Sequence, residues 1–207
     1  TATHPGQVAS INDFIRQSCS ENQEFLGFGT LHPGYEDIPG EARRIREMGL
    51  RGVKLHPDFQ RFDIDDPAAF PIYECCQELG LPILFHTGDA RYDWSAPARM
   101  EMVAKRYPGL TCIAAHFGGY SHWQDVERYR DLPNVWFDTS SSLFCLPRER
   151  ALALIRLLGH RRFLFGTDFP MWDHGEELER FLSLDLPEEI RDDILYRNFQ
   201  RLFEVEL

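Results

Sequence analysis

The stretch Phe163-Leu164-Phe165-Gly166-Thr167-Asp168-Phe169-Pro170 decides the fold. It reads as a short buried strand, Phe163–Phe165, with Asp168 at its far end. Gly166 and Thr167 lie between, and Pro170 stops further pairing. An apolar strand gains nothing from a carboxylate at its end unless something beyond it wants one. Taken alone, such an Asp reads as a turn opener or a helix cap. The same design recurs, however. Ile83–Phe85 ends in His86, Ile113–Ala115 in His116 and Gly52–Leu55 in His56, while Phe25–Thr30 runs into Leu31-His32.

Outward from these strands, helices are expected over Val8–Ser18, Glu41–Met48, Asp66–Leu79, Pro97–Tyr107, Pro147–Leu158, Glu176–Phe181 and Pro187–Leu202. Pro71 predicts that the regular part of the helix ending at Leu79 begins there, because an interior proline removes a backbone bond. Ser121 and Gln124 have the spacing of a capping box and predict a further helix ending near Asp131. Val135–Asp138 is another strand, and Thr1–His4 reads as the tail of one. Strands and helices alternate at about 25–30 residues, the length of a βα unit. The strands are continuous apolar runs without polar alternation, which predicts a parallel sheet covered by helices. With no linker or composition break, residues 1–207 read as one α/β barrel domain whose strand ends share one rim.

Composition narrows the function. A net charge of −11 argues against a general nucleic-acid or anionic-membrane binder, which needs basic stripes. Five cysteines without CxxC spacing read as reduced thiols, and there is no signal peptide or long apolar run, so the cytoplasm is the expected compartment. No Gly-x-Gly-x-x-Gly follows a strand and no Gly-x-Ser-x-Gly elbow occurs, which disfavours dehydrogenase and serine-hydrolase readings.

The eight histidines carry the chemistry. His32, His56, His86 and His116 follow successive strands, and Asp168 follows the last. Imidazole and carboxylate are ligands that zinc and similar divalent metals prefer, and an open coordination position lets the metal lower the pKa of a water. His86 and His116 stand beside small residues, Thr87-Gly88 and Gly118-Gly119, that admit a ligand. His32 and His56 precede prolines and read as turn residues, and His122 as an early helical position. Lys54, inside an apolar strand, reads as a charge partner pointing into the barrel or as a carbamate bridging two metals.

Gly52-Val53-Lys54-Leu55-His56-Pro57, Leu84-Phe85-His86-Thr87-Gly88, Ala115-His116-Phe117-Gly118-Gly119 and Gly166-Thr167-Asp168-Phe169-Pro170 form a set in fixed order. Together they resemble the amidohydrolase superfamily, in particular amidohydrolase family 2, which includes aminocarboxymuconate-semialdehyde decarboxylase. The closing Asn198-Phe199-Gln200-Arg201-Leu202-Phe203 resembles that family's last helix. The resemblance implies a distorted TIM (β/α)8-type barrel with one or two divalent metals, zinc being expected and manganese the alternative. It implies that His86 ligates metal, that His116 ligates metal or polarises substrate, and that Asp168 binds metal and shuttles a proton. The family's first-strand His-x-His pair does not occur here, so the first one to two βα units are expected to be missing from this chain. An upstream segment or a displaced start is expected to account for this, ahead of a degenerate homologue.

These readings predict a metal-dependent hydrolase in which activated water attacks a small carbonyl or cyclic substrate. Asp168 is then the proton shuttle and His116 the electrophile. Non-oxidative decarboxylation of an aromatic or cyclic carboxylate is the alternative on the same scaffold. A barrel remnant acting through association as a homo-oligomer is the alternative of another class. Arg91, Tyr92, Trp94, Phe117, Tyr120, Trp123 and Trp172 are expected near the mouth, with Arg91 and Trp172 binding a flat, acidic small molecule.

Overall fold

The computed structural model describes residues 1–206. Six parallel strands pair strictly in chain order: β1 Phe28–Thr30, β2 Gly52–Leu55, β3 Ile83–Phe85, β4 Cys112–Ala114, β5 Val135–Asp138 and β6 Phe163–Leu164. The order never reverses. A sheet wound in one direction curls into a barrel wall, whereas a doubly wound sheet contains a switch point. The expected (β/α)-barrel architecture is therefore present in partial form. Among the described residues β1 pairs only with β2 and β6 only with β5, so the wall is an arc.

Helices cover the outer face of the arc and apolar side chains partly fill the inner one, which explains the apolar strands. Val53, Leu55, Ile83, Phe85, Cys112, Ala114, Phe137 and Phe163 join the main core beneath the helices. The alternate residues face inward, where Ile113 and Leu164 cluster with Phe28, Leu84 and Trp136. Register aligns Lys54, Leu84, Ile113 and Trp136 across four strands.

The covering helices are α1 Val8–Glu21, α2 Ile38–Glu47, α3 Pro57–Gln60, α4 Phe70–Leu79, α5 Pro97–Arg106, α6 Arg148–Leu158 and α7 His174–Leu182. At α4, Asp66 caps a 3-10 turn by accepting from the Ala68 N–H at 2.8 Å, and the regular helix follows with Pro71 in its first turn. There the proline's missing N–H leaves no bond unmade. Gly80, at φ 63°, ends it. Among the described residues no helix is long and apolar enough to cross a membrane.

Two expectations fail. The segment after Ser121 forms no long helix: Ser121 has φ 63°, and only a 3-10 turn, Val126–Tyr129, develops. Val126 and Tyr129 are fully buried and the Trp123 indole N–H donates to the His116 carbonyl at 2.9 Å, so packing overrides the capping signal. Thr1–His4 is not a strand either. The Ala2 N–H donates to the Thr30 hydroxyl at 3.0 Å, a side-chain bond outside any ladder, and Pro5 opens a 3-10 turn at once.

The chain ends in α8 Glu188–Asp192, a π-helical turn Asp193–Arg197, and α9 Asn198–Phe203. Phe203 lies edge-on to Phe28 with centroids 5.7 Å apart, so α9 occupies the open side of the arc. The fully buried Asn198 anchors it, donating from Nδ2 to the carbonyls of His160 at 2.8 Å and Phe163 at 2.6 Å. Replacing Asn198 by Ala removes both bonds; the His160 carbonyl keeps the Phe163 N–H, so the main loss is the buried bond to the Phe163 carbonyl. Urea denaturation of Asn198→Ala is expected to show a loss of about 1–3 kcal/mol; an unchanged midpoint would contradict the anchoring role.

Candidate active site at the strand ends

The ladder continues one step past the strands. His86 N–H donates to the Leu55 carbonyl at 2.9 Å and Ala115 N–H to the Phe85 carbonyl at 3.0 Å. This register sets His56 beside His86, and their rings stack at 3.8 Å with a 9° interplanar angle. The other ring neighbour of His56 is Phe59, stacked at 3.7 Å, whose N–H donates to His56 Nδ1 at 3.3 Å. His116 lies one residue further along its strand, and its left-handed backbone, φ 60°, re-aims the ring. Its Nε2 comes within 3.0 Å of His86 Nδ1. Asp168 has the same backbone, φ 60°, and its Oδ2 accepts from the Ser141 hydroxyl at 2.6 Å. Ser141 in turn accepts from the Trp172 indole at 3.0 Å.

Beneath His116, its Nδ1 lies 3.0 Å from the Ser140 hydroxyl and 3.1 Å from the Ser140 carbonyl. Asp138 Oδ1 accepts from His116 N–H at 3.0 Å, Ser140 N–H at 3.0 Å and Ser140 O–H at 2.6 Å.

Two cavities meet here. The mouth, about 330 Å³, is lined by His56, His86, His116, Asp168 and Arg91, with Phe59, Tyr120, Phe144 and Trp172 among its aromatic walls. The second, about 440 Å³, is the inside of the arc, with Phe28, Leu84, Ile113 and Phe203 in its walls. Lys54, His116 and Asp168 line both, so Lys54 points into the barrel as a charge facing Asp138 and Asp168. Arg91 is tied to Asp89, at 3.0 Å from Nε and 2.8 Å from Nη2, and Trp172 stacks on Phe144 at 4.5 Å.

Other expected mouth residues lie elsewhere. Phe117 is fully buried against Phe163 in the core, because its left-handed φ of 55° turns it inward. Tyr92 and Trp94 stack on each other at 4.5 Å in a neighbouring groove. His32 accepts from Gly34 N–H at 3.0 Å as a turn residue, and His122 lies outside any helix, its Nε2 3.1 Å from the Asp89 carbonyl.

Burial dominates the electrostatics. It pushes His56 down to about 3 and depresses His86 and His116 as well, assisted by neighbouring positive charge. The same burial lowers the Lys54 ammonium, against the pull of Asp138 and Asp168, and raises the Asp58 carboxyl, against a 2.5 Å bond from the Ser95 hydroxyl. The imidazoles are therefore neutral at pH 7, the form that ligates metal.

One group of side chains fits a divalent cation. A ligand atom from each of His56, Asp58 and His86 lies within 4.8 Å of the others. Asp58 Oδ1 is buried with no hydrogen-bond partner, and Asp58 Oδ2 is 4.0 Å from His86 Nε2. Two neutral imidazoles and a carboxylate with an unused oxygen suit zinc or manganese. His116 and Asp168 stand outside this group but line the same cavity as His56 and His86, while Asp58 lines the adjoining groove. Asp58 was legible as the second residue after His56, and Asp138 as a strand-ending carboxylate like Asp168, yet neither is singled out by sequence. Ser140, Ser141, Phe59 and Phe144 carried no signal of their own.

A family profile described as amidohydrolase matches residues 2–205. The chain belongs to the amidohydrolase family. A curated relative, 2-amino-3-carboxymuconate-6-semialdehyde decarboxylase of Dictyostelium discoideum, is 39% identical over 203 residues. That alignment covers 77% of this chain and 55% of the relative, so this member spans about half the length of the curated protein it matches. An uncharacterised TIM-barrel protein of Bordetella bronchiseptica superposes with a TM-score of 0.82 at 23% identity, over 93% of this chain and 72% of its own. A dihydroxybenzoic acid decarboxylase of Polaromonas sp. JS666, solved with manganese and 2-nitroresorcinol, gives a TM-score of 0.74 at 20% identity, over 97% and 75%. These likenesses identify the fold as that of TIM-barrel amidohydrolases.

The depressed histidines set a pH dependence for the metal-free protein. Unfolded, His56 titrates near 6.5; folded, near 3, so the unfolded chain binds more protons between those values. Stability is fully present above about pH 6.5 and falls as pH drops toward 3. Chemical denaturation between pH 8 and about pH 4 is expected to show this monotonic loss with net proton uptake on unfolding; flat stability over the window would contradict the buried neutral cluster.

Proposed function

We propose that this protein is a divalent-metal-dependent, non-oxidative decarboxylase acting on a small cyclic or aromatic carboxylate. The observation that carries this reading is one cavity in which His56 and His86, two members of a metal-competent group completed by the buried Asp58 beside it, stand with Asp168, His116 and Lys54 under aromatic walls. The 39% identity to a decarboxylase supports that reaction over the hydrolysis that the family motifs first suggest. Zinc and manganese both suit the donor set, and manganese is the metal in the Polaromonas structure.

His56, Asp58 and His86 would hold the cation, which when bound supplies Lewis-acid polarisation of an oxygen of the substrate. The chain's own groups do the rest. Phe59, Tyr120, Phe144 and Trp172 sandwich a flat ring and exclude water. Lys54 and Arg91 are the cations lining that cavity and offset the substrate's carboxylate. The bond between ring carbon and carboxylate breaks, carbon dioxide leaves, and its electron pair takes up a proton at the carbon. Asp168 is placed to take a proton from a substrate hydroxyl or a water and deliver it to that carbon. Ser141 occupies its Oδ2, and among the described residues Oδ1 has no hydrogen-bond partner and is left for substrate.

Asp168→Asn keeps the shape and removes the transferable proton. Its kcat is expected to fall by about 10²–10⁴-fold with KM little changed. Carbon dioxide release from a panel of hydroxybenzoates and muconate semialdehydes is the assay. If the wild-type protein with zinc or manganese releases none but hydrolyses a lactone or amide, decarboxylation is wrong. Elemental analysis is expected to find metal in the wild type and little in His86→Ala, since one of three protein ligands is lost.

A further inference from the structure

The hydrogen bonds under the rim form a directional chain whose protons can be placed one at a time. Asp138 Oδ1, as a carboxylate oxygen, only accepts, so the 2.6 Å contact from Ser140 uses that hydroxyl's single proton. The Ser140 hydroxyl is then an acceptor toward His116 Nδ1 at 3.0 Å, and the Ser140 carbonyl at 3.1 Å can do nothing else. His116 Nδ1 therefore carries the proton. In the neutral ring with Nδ1 protonated, Nε2 is a lone pair. The 3.0 Å contact to His86 can then form only if His86 Nδ1 is the donor, which leaves His86 Nε2 as a lone pair too.

That lone pair lies 4.0 Å from Asp58 Oδ2. Two acceptors thus face each other: Asp58 Oδ2 takes its hydrogen bond from the Ser95 hydroxyl at 2.5 Å, and Asp58 Oδ1 is buried without a partner. Acceptors with no donor between them repel, and a cation bonded to both would relieve this. Metal–imidazole and metal–carboxylate bonds of about 2.0–2.2 Å set their donor atoms about 3.4 Å apart at a tetrahedral angle and about 4 Å apart in line.

We infer that Asp138 and Ser140 are positioning residues that fix the tautomers of His116 and His86, and so aim His86 Nε2 and Asp58 at a single divalent cation. Neither residue touches the cation; they act through two rings in series. The inference assigns His116 a role independent of ligation, since both its ring nitrogens are engaged by Ser140 and His86. It rests on the metal-dependent reading for its purpose but not for its tautomers.

The test begins with metal-free protein labelled with ¹⁵N-histidine. Long-range proton–nitrogen correlation is expected to show both His86 and His116 as Nδ1–H tautomers, and added zinc is expected to shift His86 Nε2. A His86 ring protonated at Nε2 overturns the inference. Zinc affinity, by competition with a chromophoric chelator, is expected to weaken about 10–100-fold in Asp138→Ala, the usual effect of losing an outer partner of a ligand. Asp138→Asn, whose amide oxygen accepts the same three bonds, is expected to bind zinc nearly as the wild type does. Folded Asp138→Ala with wild-type affinity overturns the inference. Should that variant not fold, Ser140→Ala, which deletes only the hydroxyl link, is expected to weaken zinc about tenfold, and unchanged affinity there overturns it equally. Wild-type tautomers as assigned with no zinc binding would uphold the relay and overturn the metal-dependent reading.

Discussion

The site depends on parallel, in-register pairing without a switch point. Because β2 and β3 run side by side in register, the residues that follow them, His56 and His86, must stack, and one strand spacing fixes the distance between their rings. His116 and Asp168 do not fall on this register. Each reaches the rim through a left-handed residue, a conformation uncommon for a side chain with a Cβ and found where structure is held for function. The surroundings hold it there. Asp138 receives the His116 N–H, and Gly88 lets the neighbouring loop approach so closely that a Cβ on it would meet the Tyr120 carbonyl at 2.3 Å.

Burial does the electrostatic work that this geometry makes possible. For His56, His86, His116, Lys54 and Asp58 the largest influence is removal from water, and in each the charged form loses. Neighbouring charges only modulate it. Histidines in this state are ready ligands, because no proton must be expelled before a metal binds. The same desolvation leaves Lys54 with carboxylates nearby but, among the described residues, no direct ion pair. An incoming anion would meet an underused cation at the junction of the two cavities.

Much of this was legible in the sequence, and the rest was not for identifiable reasons. All six strands were readable because a parallel strand buried on both faces leaves an unbroken apolar run, and the histidines stood out because they interrupt those runs at the same place. His56 reads first as a turn residue because His-Pro is a genuine turn signal. The turn is real, and it is also what stacks Phe59 on the ring. The helix after Ser121 failed because a local cap cannot outweigh burying Val126 and Tyr129. Asp138 carries the same strand-end signal as Asp168, but its bonds to His116 and Ser140, and Ser140's place in the site, are made across β4 and β5, which no spacing along the chain encodes.

The two kinds of residue in the cavity come from different parts of the fold, and this bears on how such a site varies. Lys54, His56, His86, His116 and Asp138 are on strands or immediately after them, so the sheet fixes their positions. Phe59, Tyr120, Phe144 and Trp172 come from the helices and loops between strands. Changes in those connections can reshape the walls without moving the ligand-bearing ring, because the backbone bonds that set register do not pass through them. Trp172 is the exception. Its indole bonds Ser141, which bonds Asp168, so one wall residue is coupled to the proposed proton donor through a single hydroxyl. A shift of the Trp172 ring therefore reaches Asp168 through Ser141, whereas Phe59 meets the metal-competent group at His56, through ring stacking and its N–H.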